Sequence, residues 1–173
     1  KVANQYHFSY MDGTPYYEIG TTCYAWTHQK EEMQENTRKT LKNSPFNKIR
    51  FCIFPKHYDY NLYEPISYPY QGTPCNIDGI NRENFMEFLP SNPDNQWDFT
   101  RFNPEHFQII EKNIQYLKEL GIEADIILMH PYDRWGFSEM GRENDIFYLR
   151  YVIARFSAYR HVWWSLANEY DLC

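Results

Sequence analysis

The side chains best suited to proton transfer lie at residues 161–172. There the apolar run Val162-Trp163-Trp164-Ser165-Leu166-Ala167 stops at Asn168, Glu169 and Asp171. The run reads as a buried strand, and a carboxylate held at the end of one can give or take a proton in a sheltered pocket. By the two-residue period Trp163, Ser165, Ala167 and Glu169 share one face, while Trp164, Leu166 and Asn168 share the other. Two small residues on the first face suit the crowded interior of a closed barrel, and the carboxyl ends of parallel strands are where α/β folds keep their chemistry. Two other apolar runs carry polar residues of the same kind: Arg50 lies inside one, and His130 closes another, ahead of Tyr132, Asp133 and Trp135. A charged side chain within a strand must be paired or line a cavity, because an isolated buried charge is too costly. For Arg50 the alternatives are an inter-strand salt bridge and a place in the site, and its position in the chain favours the site.

The elements that must position these groups follow in order. Residues 1–19 read as a hairpin around Asp12-Gly13 that would plug or cover one end of a barrel. Residues 19–25 form a first strand delivering Tyr24 and Trp26 to its carboxyl end, where Trp26 is either a core residue or a ligand platform. A helix over 29–43 places Met33, Thr37 and Leu41 inward. A second strand over 46–54 points Ile49, Phe51 and Ile53 one way and Lys48, Arg50 and Cys52 the other. Residues 55–100 then form a long loop of little periodicity, of the kind that usually serves function. It would arch over the active face and bring Lys56, His57, Tyr58, Asp59 and Tyr60 to the cleft, each of which alone reads as solvated. Trp97 and Phe99 would anchor its returning arm.

A helix begins at Asn103 as cap with Pro104 in its first turn, carries Phe107, Ile110, Ile114 and Leu117, and ends at Gly121. The third strand covers 122–130. A helix over about 143–159 presents Ile146, Leu149, Ile153 and Phe156, and the fourth strand follows. Strands alternating with helices imply right-handed crossovers and a parallel sheet.

The string from Trp163 to Asp171 resembles the fourth-strand motif of clan A glycoside hydrolases, retaining (β/α)8 TIM-barrel enzymes in which an Asn-Glu pair ends strand four. With His130-Pro131-Tyr132-Asp133-Arg134-Trp135-Gly136 it is similar to a group of bacterial endoglucanase-like proteins akin to the apiosidase-like enzymes. The resemblance covers nearly all of the chain and only the N-terminal half of the family's barrel, namely the hairpin and strands one to four with three intervening helices. It implies that Glu169 is the general acid/base and that Asn168 holds a hydroxyl beside the reacting carbon. It further implies that Arg50 supports the nucleophilic carboxylate and that His130 contacts sugar hydroxyls or the catalytic carboxylates. Trp26, Tyr132, Asp133, Trp135 and His57 complete the expected substrate-binding set.

Cleaving an acetal requires two carboxyl groups, and Glu169 is one. Its pKa should be raised by a desolvated, aromatic-lined site. In the clan the nucleophile is a glutamate on strand seven, so no residue up to Cys173 takes that part. The expected partner is a plant or microbial poly- or oligosaccharide, with no cofactor and no metal. The remainder of the barrel would come from the same longer chain or, less readily, from a second copy. Two further function classes stand beside this one. One is a non-catalytic carbohydrate-binding barrel. The other is a metal-dependent hydrolase using His57, Asp59, His130, Asp133 and Glu169, which lacks any short ligand spacing such as HExxH.

Size and composition are consistent with a partial barrel. At 173 residues the chain is shorter than the roughly 250 of a complete (β/α)8 barrel. Four parallel strands alone would expose two unpaired edges, so the chain is expected to be a segment of something larger. A net charge of −6 with no basic block argues against nucleic acid and anionic membranes. Sixteen tyrosines supply flat rings with polar edges that suit sugar faces. Cys23, Cys52, Cys75 and Cys173 have no metal-binding spacing and read as free thiols, favouring a reducing compartment and the cytoplasm over secretion. The residues given contain no signal peptide and no run of membrane-spanning length.

Overall fold

The computed structural model describes residues 1–56, 63–74 and 95–172, and for Leu172 the backbone only. His57, Tyr58, Asp59, Tyr60, Cys75 and Cys173 lie outside the described residues. The architecture is α/β. Strands β4 (Gly20–Thr22), β5 (Lys48–Cys52), β8 (Glu123–Met129) and β9 (Val162–Ala167) form one parallel sheet in the order β4-β5-β8-β9. Helices α1 (Glu31–Lys42), α2 (Pro104–Leu120) and α3 (Arg142–Phe156) provide the crossovers. None of the described helices is long and apolar enough to cross a membrane.

The sheet divides its side chains as the period of two requires. Ile49, Phe51, Ala124, Ile126 and Leu128 pack into the core beneath the helices. Their neighbours Lys48, Arg50, Glu123, Asp125, Trp163 and Ser165 meet one another on the opposite face. On β9, Trp164 and Leu166 belong to the helix side yet are 39% and 68% exposed, because the described residues provide no helix to cover them. The start of the chain is a small antiparallel sheet of β1 (Val2–Asn4), β2 (His7–Ser9) and β3 (Pro15–Tyr16), wider than the expected hairpin. It packs Phe8 edge-on (5.1 Å) and Tyr16 face-on (6.1 Å) against Trp163, so it covers the amino-terminal end of the parallel strands.

Helix α2 forms as its sequence dictates. The Asn103 side chain accepts the Glu105 amide at 3.2 Å, Pro104 opens the first turn, and Gly121 closes the helix in the left-handed conformation (φ 71°). Phe107, Ile110, Ile114 and Leu117 are all fully buried.

The other two helices differ from expectation in which face they bury. Helix α1 turns Gln34, Arg38 and Leu41 inward, while Met33 is exposed. The reason is a polar network: buried Asn113 of α2 donates to Gln34 at 2.7 Å and accepts from Arg38 at 2.9 Å. Helix α3 buries Tyr148, Val152 and Phe156, leaving Ile146 and Ile153 exposed. Tyr148 decides this rotation, because its hydroxyl donates to the Leu128 carbonyl at 2.9 Å while its ring stacks on Phe54 at 4.3 Å.

Within the expected long loop a second antiparallel ribbon appears, pairing β6 (Tyr70–Thr73) with β7 (Gln96–Phe102). Trp97 and Phe99 do anchor it: Trp97 Nε1 donates to the Trp135 carbonyl at 2.7 Å, and Phe99 meets Tyr70 edge-on at 5.1 Å.

Candidate active site

The carboxyl ends of the four parallel strands deliver polar groups to a shared cluster. Tyr24 follows β4, Lys56 follows β5, Tyr132 follows β8, and Asn168 and Glu169 follow β9. The Asn168 amide donates to the Met129 carbonyl at 3.0 Å, which keeps the backbone in the ladder one residue beyond the strand. Its side chain is held from both sides: the Tyr24 hydroxyl donates to Oδ1 at 3.3 Å, and Nδ2 donates to the Tyr132 hydroxyl at 3.5 Å. Both bonds are long, so they orient Asn168 without locking it.

Lys56 Nζ lies 3.8 Å over the Tyr132 ring and 5.3 Å from that of Tyr24. Burial holds its ammonium below the ordinary lysine value, opposed by attraction to Cys52 and to Glu169. An electrostatic interaction therefore ties Lys56 to the candidate acid.

Glu169 is exposed and adopts φ 51°, the one positive φ of a non-glycine residue among those described. The strand stops at Ala167 and the chain turns at Glu169, so the alternation that grouped Glu169 with Trp163, Ser165 and Ala167 does not extend to it. A left-handed glutamate is unfavourable by about 1–2 kcal/mol, and such residues cluster at functional sites.

Below this cluster Arg50 lines a hollow of about 310 Å³ together with Ser165, Ala167, Asn168 and Tyr170. Both readings of Arg50 have support, because its guanidinium pairs with Asp125 (Nε at 2.9 Å, Nη2 at 2.8 Å) while the side chain stays 45% exposed.

Three expected binding residues are sealed into the interior, and these are corrections. Trp26 is fully buried: a single turn after β4 folds the indole against Phe51, with Nε1 donating to the Gln34 carbonyl at 3.2 Å. Trp135 is buried as well, its Nε1 donating to Glu64 at 2.7 Å. His130 is buried behind Tyr132 with Nε2 at 3.2 Å from the Phe54 carbonyl, and its Nδ1 is equally shielded. Each ring has room on the helix side or under the loop, and burying it there removes more apolar surface from water than the rim would.

Asp133 is also buried, and its two oxygens accept the Trp135 and Ser138 amides at 2.7 and 2.6 Å. Burial pushes its pKa up to about 6 against the pull of those amides. With both oxygens accepting backbone amides it organises the turn after Tyr132. Among the described residues no group of three His, Cys, Asp or Glu is placed to hold a metal ion. Tyr132 and Asn168 do meet in the cluster, and His57 lies outside the described residues.

Lys56 reaches the cleft as the sequence expects, although there each residue of its group alone reads as solvated; it follows its strand as Tyr24 and Tyr132 follow theirs. One participant, Asp125, was passed over in the sequence. Asp125 is a lone carboxylate inside the apolar stretch Ala124-Asp125-Ile126-Ile127, and the cost of burying it called for the same partner search made for Arg50.

Known proteins resemble this arrangement. The model of the apiosidase-like catalytic domain family matches residues 2–172. A solved structure of a candidate glycoside hydrolase from Bacteroides vulgatus is 46% identical, with a TM-score of 0.80 over 95% of this chain and 31% of that one. A glycoside hydrolase family 5 structure from Bacteroides vulgatus (12% identical, TM-score 0.58, 93% and 30% covered) shares the fold. So does an endo-1,4-β-D-mannanase from Thermotoga petrophila (18% identical, TM-score 0.51, 89% and 45% covered). The chain thus spans about a third of the length of the first two solved relatives. No curated protein matches it significantly. A family match along nearly every residue, joined to a strand-end Asn-Glu pair whose asparagine is held by its neighbours' tyrosines, places the chain in the apiosidase-like catalytic domain family.

Proposed function

We propose that the chain forms strands one to four of a (β/α)8 barrel and that the complete protein is a retaining glycoside hydrolase acting on a plant or microbial poly- or oligosaccharide. The observation that carries this reading is the Asn168-Glu169 pair at the end of the fourth parallel strand, tied to Tyr24, Lys56 and Tyr132 at the ends of the other three. The exposed apolar outer face of β9 supports the barrel part, because Trp164 and Leu166 need a further helix to cover them.

In the first step the protonated Glu169 carboxyl gives its proton to the glycosidic oxygen as that bond breaks, while a carboxylate from beyond residue 173 attacks the anomeric carbon. In the second, the Glu169 carboxylate takes a proton from water, whose oxygen displaces the enzyme carboxylate and restores both groups. Asn168 orients a sugar hydroxyl beside the reacting carbon.

The test supplies the complete protein with aryl glycosides and plant oligosaccharides. Glu169→Gln and Glu169→Ala are expected to lower kcat by about 10²–10⁴ while still binding sugar. Wild-type protein that binds these sugars without turnover would instead make it a sugar-binding barrel, and turnover unaffected in both variants would remove Glu169 from the chemistry.

A further inference from the structure

We infer that Asp125 is a positioning residue that fixes the orientation of Arg50 and so sets which guanidinium edge faces the reaction. The inference rests on the reading of Arg50 as part of the proposed site. Arg50 and Asp125 are paired in register on β5 and β8, both pointing away from the helices. One carboxylate oxygen, Oδ2, takes two donors of the guanidinium, Nε at 2.9 Å and Nη2 at 2.8 Å. The other, Oδ1, accepts the Ser165 hydroxyl of β9 at 2.7 Å. Lys48 adds a second cation 3.8 Å from Oδ2 and is itself restrained, 3.2 Å from Glu18 and 4.0 Å over the Trp163 ring. With both oxygens engaged from two neighbouring strands, the Asp125 carboxylate has one orientation, and the guanidinium side-on to it inherits that orientation.

The carboxylate side chain is 5% exposed and the arginine 45%, and the arginine also lines the hollow shared with Ser165 and Asn168. Nη1 has no partner among the described residues. The Nε–Nη2 edge is occupied by Asp125, which leaves Nη1 and the outer N–H of Nη2 as the donors offered to an incoming carboxylate or developing oxyanion. A guanidinium already half-neutralised and aligned need not reorganise when that anion forms. Asp125 touches neither substrate nor reacting atoms; its effect passes through Arg50.

The experiment uses the complete protein, comparing Asp125→Asn, Arg50→Lys, the double variant and Ser165→Ala by steady-state kinetics and thermal unfolding. Asp125→Asn is expected to lower kcat about ten- to a hundredfold with KM within about threefold of wild type, since misplacing an aligned group by about 1 Å costs rate more than binding. The double variant should be no worse than Arg50→Lys by more than about threefold, because both substitutions remove one interaction. Folded Asp125→Asn protein with unchanged kcat, or a double variant whose losses multiply, would overturn the inference. Should Asp125→Asn not fold, Ser165→Ala decides, because it frees Oδ1 alone: a several-fold fall in kcat at constant KM supports the inference and unchanged kcat overturns it. The two readings fail separately. Turnover retained in Glu169→Gln removes the proposed mechanism, whereas loss there with full kcat in Asp125→Asn removes only the role of Asp125.

Discussion

Asp133 offers the sharpest quantitative prediction, because the turn that it organises supports both the core and the site. Its carboxylate is buried and holds the Trp135 and Ser138 amides at 2.7 and 2.6 Å; Trp135 in turn receives the Trp97 indole, and Tyr132 just before the turn contacts Asn168. Asp133→Ala leaves the buried Trp135 amide and the part-buried Ser138 amide without an acceptor, at about 1–3 kcal/mol for the first and less for the second, so a loss of about 2–4 kcal/mol is expected. That is a large share of the roughly 5–15 kcal/mol stability of an ordinary domain.

Asp133→Asn keeps the shape and one acceptor and removes the ionisation. The folded-state pKa is raised, from 3.8 to about 6, by burial of the carboxyl. The neutral acid is therefore the form the fold prefers. Its contribution is fully present below about pH 4 and is lost as pH rises through about 6. A rise of about two units corresponds to about 3 kcal/mol. Urea unfolding of wild-type and Asp133→Asn protein from pH 4 to 7.5 should show the wild type's advantage shrinking by about that amount, since other groups titrate alike in both. A difference that stays flat over this range would refute the argument from burial, and Asp133→Ala within about 1 kcal/mol of wild type would refute the role of the turn.

Two further expectations are simpler to check. Lys56→Met removes a cation 3.8 Å above the Tyr132 ring, an interaction of about 1–2 kcal/mol, so kcat/KM of the complete protein should fall about tenfold; kinetics indistinguishable from wild type would exclude Lys56 from the site. Gly72 has φ 135°, and a Cβ there would stand 2.0 Å from the Gln96 carbonyl oxygen across the β6–β7 ribbon. Gly72→Ala should therefore cost about 2–4 kcal/mol in denaturant unfolding, and near-wild-type stability would mean that the ribbon is not held as described.

The sequence was most legible where local chemistry and global packing agree. Helix α2 has its cap, its proline, its apolar stripe and its terminal glycine, and each signal is read within a few residues. The same holds for the Ile49, Phe51 and Ile53 face of the second strand, where alternation alone separates the core from the polar side. The helices α1 and α3 were legible as elements but not in their rotation. Counting apolar residues could not anticipate that Asn113, seventy-five residues beyond Arg38, would draw Gln34 and Arg38 inward. Nor could it rank Tyr148 above Ile146 and Ile153, because that choice depends on the Leu128 carbonyl waiting beneath it.

The same division runs through the candidate site. The sequence by itself determined a parallel α/β sheet whose strands end in polar groups, and it singled out Asn168 and Glu169, because periodicity and abrupt changes of polarity are properties of neighbouring residues. Only the tertiary structure decided which strand-end groups meet. It sent Trp26, Trp135 and His130 into the interior, brought Lys56 and Tyr24 to Asn168, and set Asp125 against Arg50. An aromatic or histidine has the same local pattern on a rim as in a core, and a charge finds its partner across strands rather than along them. Burial and pairing are settled by what the other strands and helices leave open, and that depends on the whole fold.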